Sequence, residues 1–293
     1  DGRGNIISKN KLSGKHVGAY VSFDTNENGL VEVKVSSSFI SHEQAWVNLN
    51  RELPKNKNFS QILAEGRKSW NDELSKIKVE TENTPYGISN KTKFYSSFYR
   101  TILFPRQFHE YNEDGKQIHY SPYNGKVLDG PLYTDNGFWD TFRAVFPFYT
   151  ILYPEKLGEI LQGIMVNPYK ESGWLPEWSS PGHRDCMIGS NSASIIAEAY
   201  IKEIKNFDIE TAYKGIINSS ENEGPLSSVG RKGAFEYNNL GYIPFDSSIN
   251  ENVARTLEYA YNDFCIWKLA AELNRPDEEI KLFKQRANNY KNV

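Results

Sequence analysis

Between Val253 and Ala271 the apolar residues Val253, Leu257, Ala260, Phe264, Trp267 and Ala271 recur at alternating steps of four and three, the spacing of one face of an α-helix. At 3.6 residues per turn this is a helix of more than about five turns, and it must end before Pro276. A chain holding so long an amphipathic helix needs other helices to cover it, and the sequence supplies them. Phe94, Phe98 and Ile102 stripe a helix stopped by Pro105. Residues 138–152 predict another, kinked at Pro147, and residues 155–166 a third. Ile195, Ile196, Ala199 and Tyr200 line the next, residues 210–218 predict a short one, and residues 276–292 begin one more.

The N-terminal part reads differently. Residues 16–25, the polar turn at 26–29 and residues 30–35 predict a hairpin with one buried face, because Val31, Val33 and Val35 alternate with Glu32 and Lys34. Ser41, three residues before Gln44, predicts a capping box for a short helix reaching about Leu53 and ended by Pro54. Two strands and a short helix do not close a core, so more sheet is expected to precede residue 1. Asp1-Gly-Arg-Gly has neither an initiator Met nor a signal-peptide pattern, which predicts a processed or truncated start. A helix of about 18 residues follows, striped by Leu63, Gly66, Trp70, Leu74 and Ile77, and is expected to connect a sheet domain to the helices.

Long loops over 111–137, 167–191 and 219–250 separate the helices. Loops beyond roughly 12 to 15 residues are functional or disordered, and these are too aromatic for disorder. Aromatic residues make up 14% of the chain, enough to admit sugar stacking as well as core packing. The first loop runs into Gly137-Phe-Trp-Asp-Thr-Phe-Arg143 at a helix start. Asp140 there is either a structural first-turn acid or an acceptor for vicinal hydroxyls beside a Trp139 stacking face. The second loop gathers Glu171, Trp174, Glu177, Trp178, His183, Asp185 and Cys186. Its tryptophans fill core gaps or line a site, and Glu177 or Asp185 has Arg184 at hand as an ion-pair partner. On the long helix, Glu258 and Asp263 need partners such as Arg255 or Lys268.

Several classes are disfavoured. A net charge of −3 from 34 basic and 37 acidic residues indicates no nucleic-acid partner, and no apolar run approaches a membrane span. Two cysteines, Cys186 and Cys265, indicate neither a disulfide framework nor a CxxC metal site. GxSxG, Walker, GxGxxG and HExxH patterns are absent, which leaves glycosidase chemistry open because it needs only two carboxylates.

Residues 134–143 (TDNGFWDTFR), 173–178 (GWLPEW), 186–189 (CMIG), 241–244 (GYIP) and 254–261 (ARTLEYAY) match in order and spacing a known set. Through them the chain, from about Gly18 onward, resembles an interior piece of glycoside hydrolase family 92, the calcium-dependent inverting exo-α-mannosidases. The resemblance implies a mainly α fold: residues 1–56 ending an N-terminal β-sandwich, residues 57–92 a helical linker, and residues 93–293 the first part of an incomplete (α/α)6 barrel. It implies that Trp139 and Asp140 hold a terminal mannose with Arg143 orienting Asp140, and that Trp174, Glu177, Trp178, His183 and Asp185 are further substrate-binding candidates. It puts the general acid and base beyond Val293, so no catalytic residue is expected in this chain, and it places the Ca2+ ligands mostly outside it. Partners implied are α-mannoside glycans of N-glycan or mannan type and the remainder of the chain's own polypeptide, in a secreted, periplasmic or cell-surface location. Residues 180–185 (SPGHRD) depart from the Gly/Asn-rich text of α-1,2-specific members, leaving α-1,3, α-1,4 and α-1,6 linkages. The alternatives are a non-catalytic glycan-binding module and an exo-glycosidase of other sugar specificity on the same barrel.

Overall fold

The computed structural model describes residues 13–16, 18, 20–24, 29 and 31–293. Among the described residues up to 41 no helix or strand forms. The hairpin is therefore not seen over 31–35, where Val33 and Val35 are exposed, while its turn at 26–28 and Leu30 lie outside the described residues. A strand is held by a paired neighbour and a packed face, and residues 31–35 have no paired strand among those described.

Helix α1 (His42–Glu52) begins at Ser41, whose hydroxyl accepts the Gln44 N–H at 3.1 Å. The reciprocal half of the predicted box is replaced: the Gln44 amide donates to Asn48 Oδ1 at 3.0 Å and to the Tyr111 carbonyl at 2.7 Å. Helix α2 (Phe59–Leu74) is closed by a full capping box of Asn58 and Gln61 and buries no residue. Its anchor is Trp70, whose ring centroid lies 4.6 Å from that of Tyr99 on α3 (Pro85–Thr101). The connector reading thus holds for its length and position, with Leu63 exposed rather than packed.

The 111–137 segment, read as loop, is small antiparallel sheet. β2 (Glu110–Tyr111), β3 (Gln117–Tyr120) and β4 (Val127–Asp129) form a meander, β1 (Arg106–Gln107) pairs with β5 (Tyr133–Thr134), and β6 (Asn136–Gly137) pairs with β7 (Trp178–Ser179). Strands of two to four residues are too short for an alternation to show.

Helix α4 (Phe138–Thr141) is followed by a break at residues 142–144 and then α5 (Val145–Leu152), so the predicted kink falls before Pro147. Pro147 stands in the first turn of α5, where its missing N–H has no intrahelical partner to lose. α6 (Pro154–Leu161) passes through a π-helical turn (Gln162–Val166) into α7 (Asn167–Ser172). The other helices are α8 (Ser192–Ile201), α9 (Ile209–Glu221), α10 (Ala234–Leu240), α11 (Asn252–Glu272) and α12 (Asp277–Arg286). α10 lies in the third predicted loop, bounded by Gly233 and Gly241 at φ 80° and 79°, where a side chain would be strained.

The core joins Phe138, Phe146, Leu157, Leu161, Ile164, Ile195, Ile196, Ile216, Ile266 and Leu269 across α4 to α11. α11 packs on α8 and α12, but its Val253, Leu257, Tyr261 and Phe264 remain exposed as a stripe. Asp263 pairs not with Arg255 or Lys268 but with Arg231 at 2.7 Å, both fully buried, and its other oxygen accepts the Tyr237 hydroxyl at 2.9 Å. Arg255 instead reaches the Asn250 carbonyl and Glu251, while Lys268 lies over the Phe264 and Trp267 rings.

Candidate functional site

The β6–β7 pair sets the position of Trp139 and Asp140. Gly137 faces Trp178 so closely that a Cβ there would lie 2.5 Å from the indole ring, and the Phe138 N–H donates to the Glu177 carbonyl at 3.0 Å. Thr141 donates to Asn136 Oδ1 at 2.7 Å, and buried Phe138 pins the turn to the core. Trp139 Nε1 then donates to Glu258 Oε1 on α11 at 3.1 Å.

Arg143 does not orient Asp140. Its Nη2 lies 3.6 Å from Glu258 Oε1, its Nε donates to the Trp139 carbonyl at 3.1 Å, and its guanidinium sits 4.6 Å from the Trp139 and Phe142 ring centroids. Residues three apart share a face only while the helix continues, and α4 ends at Thr141. Asp140 is exposed and has no hydrogen-bond or ion-pair partner among the described residues.

The second loop divides into packing and polar contacts. Trp178 covers Gly137, and Trp174 lies against Gly230, where a Cβ would come 2.9 Å from its ring. Both indoles are half-buried. Glu177 is buried at the start of α8, accepting the Asn191 N–H and Nδ2–H at 2.8 Å each and the Ser192 N–H at 3.4 Å. Burial raises its pKa well above the carboxylate range against those three donors, and the Glu258 charge pushes the same way. Neither Glu177 nor Asp185 pairs with Arg184: Asp185 accepts the Ser227 hydroxyl at 2.6 Å, and Arg184 Nε donates to the Ser180 carbonyl at 2.7 Å.

His183 packs edge-on to Tyr123 and its Nε2 bonds Ser172 Oγ at 3.0 Å, leaving Nδ1 buried and unpartnered. Burial pushes its pKa down to about 4, so it is neutral near pH 7. A second histidine went unnoticed in the sequence: His119 on β3 bonds Glu171 Oε1 at 2.9 Å and the Gly130 carbonyl at 2.9 Å. Burial lowers its pKa, but the Glu171 and Gly130 bonds outweigh it and the net shift is upward. Glu258 was also missed as a site residue, because 119 residues separate it from Trp139 and no local pattern links them.

Among the described residues no three His, Cys, Asp or Glu side chains converge as a metal cage. These residues do not by themselves fit a calcium ion, and no step below runs through one. Cys186 and Cys265 are both free.

The pattern that defines the glycosyl hydrolase family 92 catalytic domain matches residues 44–293. The chain belongs to that family. A solved family 92 inverting mannosidase from Bacteroides thetaiotaomicron is 44% identical with a TM-score of 0.82, over 87% of this chain and 34% of that one. A family 92 α-mannosidase from the same organism is 29% identical with a TM-score of 0.74, over 87% and 32%. An uncharacterised secreted glycosidase of Arthroderma benhamiae is 28% identical over 94% of this chain and 32% of its own length. The chain thus spans about a third of the relatives it matches. The matched family 92 structures carry an (α/α)6 barrel, of which these helices form part. No helix among the described residues is long and apolar enough to cross a membrane.

Proposed function

We propose that the protein containing this chain is an exo-α-mannosidase that releases terminal mannose from α-mannoside glycans with inversion, assisted by Ca2+. The observation that carries the reading is the Trp139–Asp140 turn, an indole held at its edge beside an exposed carboxylate with no protein partner, in a chain 44% identical to an inverting mannosidase. An aromatic face packs on the C–H face of a pyranose, and a free carboxylate accepts two hydroxyls at once. Trp139 and Asp140 hold the sugar. Trp174, Glu177 and Trp178 shape the wall behind it, with His183 and Asp185 farther along the same loop.

The general acid and base and most Ca2+ ligands lie beyond Val293 in this reading, contributed by the remainder of the polypeptide. When bound, calcium would supply a charge that engages the mannose 2- and 3-hydroxyls. Delivery outside the cytoplasm is part of the proposal, supported by the secreted relative.

Proton NMR of α-mannoside hydrolysis by the intact protein tests it. β-Mannose as the first product, with turnover lost on exhaustive chelation and restored by Ca2+, is expected. First-formed α-mannose overturns inversion, and undiminished hydrolysis after chelation overturns the calcium role. Saturable mannoside binding without turnover points instead to a binding module. A panel of α-1,2, α-1,3, α-1,4 and α-1,6 mannobiosides reads the linkage, with α-1,2 expected to be the poorest.

A further inference from the structure

Glu258 lies on α11, a helix whose neighbouring positions Arg255, Thr256, Tyr259, Ala260 and Asn262 are buried. Its own side chain is 19% exposed and turns toward the 137–143 segment. One of its oxygens takes two donors from that segment, the Trp139 indole N–H at 3.1 Å and Arg143 Nη2 at 3.6 Å. Arg143 in turn covers a face of the Trp139 ring and bonds the carbonyl of the same residue. The indole therefore has its edge fixed by α11 and one face closed by a guanidinium that the same carboxylate holds. A tryptophan at the end of a four-residue helix has little else to set its side-chain torsions.

We propose that Glu258 is a positioning residue for sugar binding: it fixes the Trp139 indole and the Arg143 guanidinium so that Trp139 and the unpartnered Asp140 meet a pyranoside in one preset arrangement. This rests on the mannoside reading above for the identity of the sugar but not for the tether itself. An indole held before the ligand arrives spares the ordering cost of binding, and its loss appears in ground-state affinity. Glutamine at this position keeps the acceptor for the indole N–H and loses only the charge toward Arg143. Leucine removes both.

The test uses the intact protein labelled with 5-fluorotryptophan, the Trp139 resonance being assigned from Trp139→Phe, alongside α-mannoside kinetics. In Glu258→Leu the Trp139 fluorine resonance should move and broaden, and KM should rise about tenfold with kcat changed less, the effect of one charge-assisted hydrogen bond. Glu258→Gln should restore the resonance and bring KM to within about threefold of the parent. An unmoved resonance in a folded Glu258→Leu protein overturns the tether whatever the sugar. A collapse of kcat with unchanged KM overturns positioning in favour of direct participation in the chemistry. A resonance that moves in a parent that neither binds nor hydrolyses mannosides keeps the tether and removes the mannoside reading.

Discussion

Asp140 is the residue on which the sugar reading can be tested most sharply, because it has no protein partner to lose. Asp140→Ala should cost about 1.5–3 kcal/mol of transition-state stabilisation, the range for hydrogen bonds to a charged group, and so lower kcat/KM by roughly 10- to 200-fold, while the melting temperature stays put. Gly137→Ala should do the reverse. A Cβ placed 2.5 Å from the Trp178 ring must push the indole or the strand aside, at about 1–3 kcal/mol, read as a lowered denaturation midpoint. The buried Arg231–Asp263 pair predicts a larger loss: Asp263→Asn leaves a guanidinium without its counter-charge and should destabilise by about 3–5 kcal/mol in urea unfolding. The sequence revealed Trp139 and Asp140 because they are adjacent in a helix-start pattern. It concealed Glu258 and Arg231, whose partners come from distant segments, and it misassigned Arg143, whose helical face no longer exists once α4 stops after four residues.

Among the elements, length decided what could be read. α8, α9, α11 and α12 run 10, 13, 21 and 10 residues and were legible as amphipathic stripes. The strands β1 to β7 and the seven-residue α10 gave no periodic signal, so loops were expected where short elements stand. Two histidines tie those short elements to the helices with opposite pH dependence. His183 has a folded pKa of about 4 against an ordinary 6.5, so the unfolded chain binds more protons between the two. Its contribution is present above about pH 6.5 and is lost as pH falls toward 4. His119 is shifted upward, so the β3–α7 link through Glu171 is complete below its ordinary value and is lost as pH rises through the folded one. Urea midpoints across this range should therefore decline on the acid side for the parent, and His183→Gln should flatten that slope without altering the alkaline one.

At the scale of the whole molecule, the helical architecture was legible and the N-terminal hairpin was not seen among the described residues, since pairing needs a neighbour that alternation cannot supply. Val253, Leu257, Tyr261 and Phe264 leave an apolar stripe along α11 that a lone 293-residue chain would expose to water. Such a chain should self-associate in sedimentation experiments, and Leu257→Ser with Phe264→Ser should reduce it. A monomeric, cooperatively melting isolated chain would contradict this expectation. The π-helical turn at Gln162–Val166 has a different consequence. Removing one residue there would restore ordinary α geometry and rotate everything after it by about 100°. Glu171 would swing away from His119, and the whole 173–185 segment would start from the wrong side of its helix. The sequence is thus free to change its letters in this turn but not their number, a constraint on length placed inside a helix rather than in a loop.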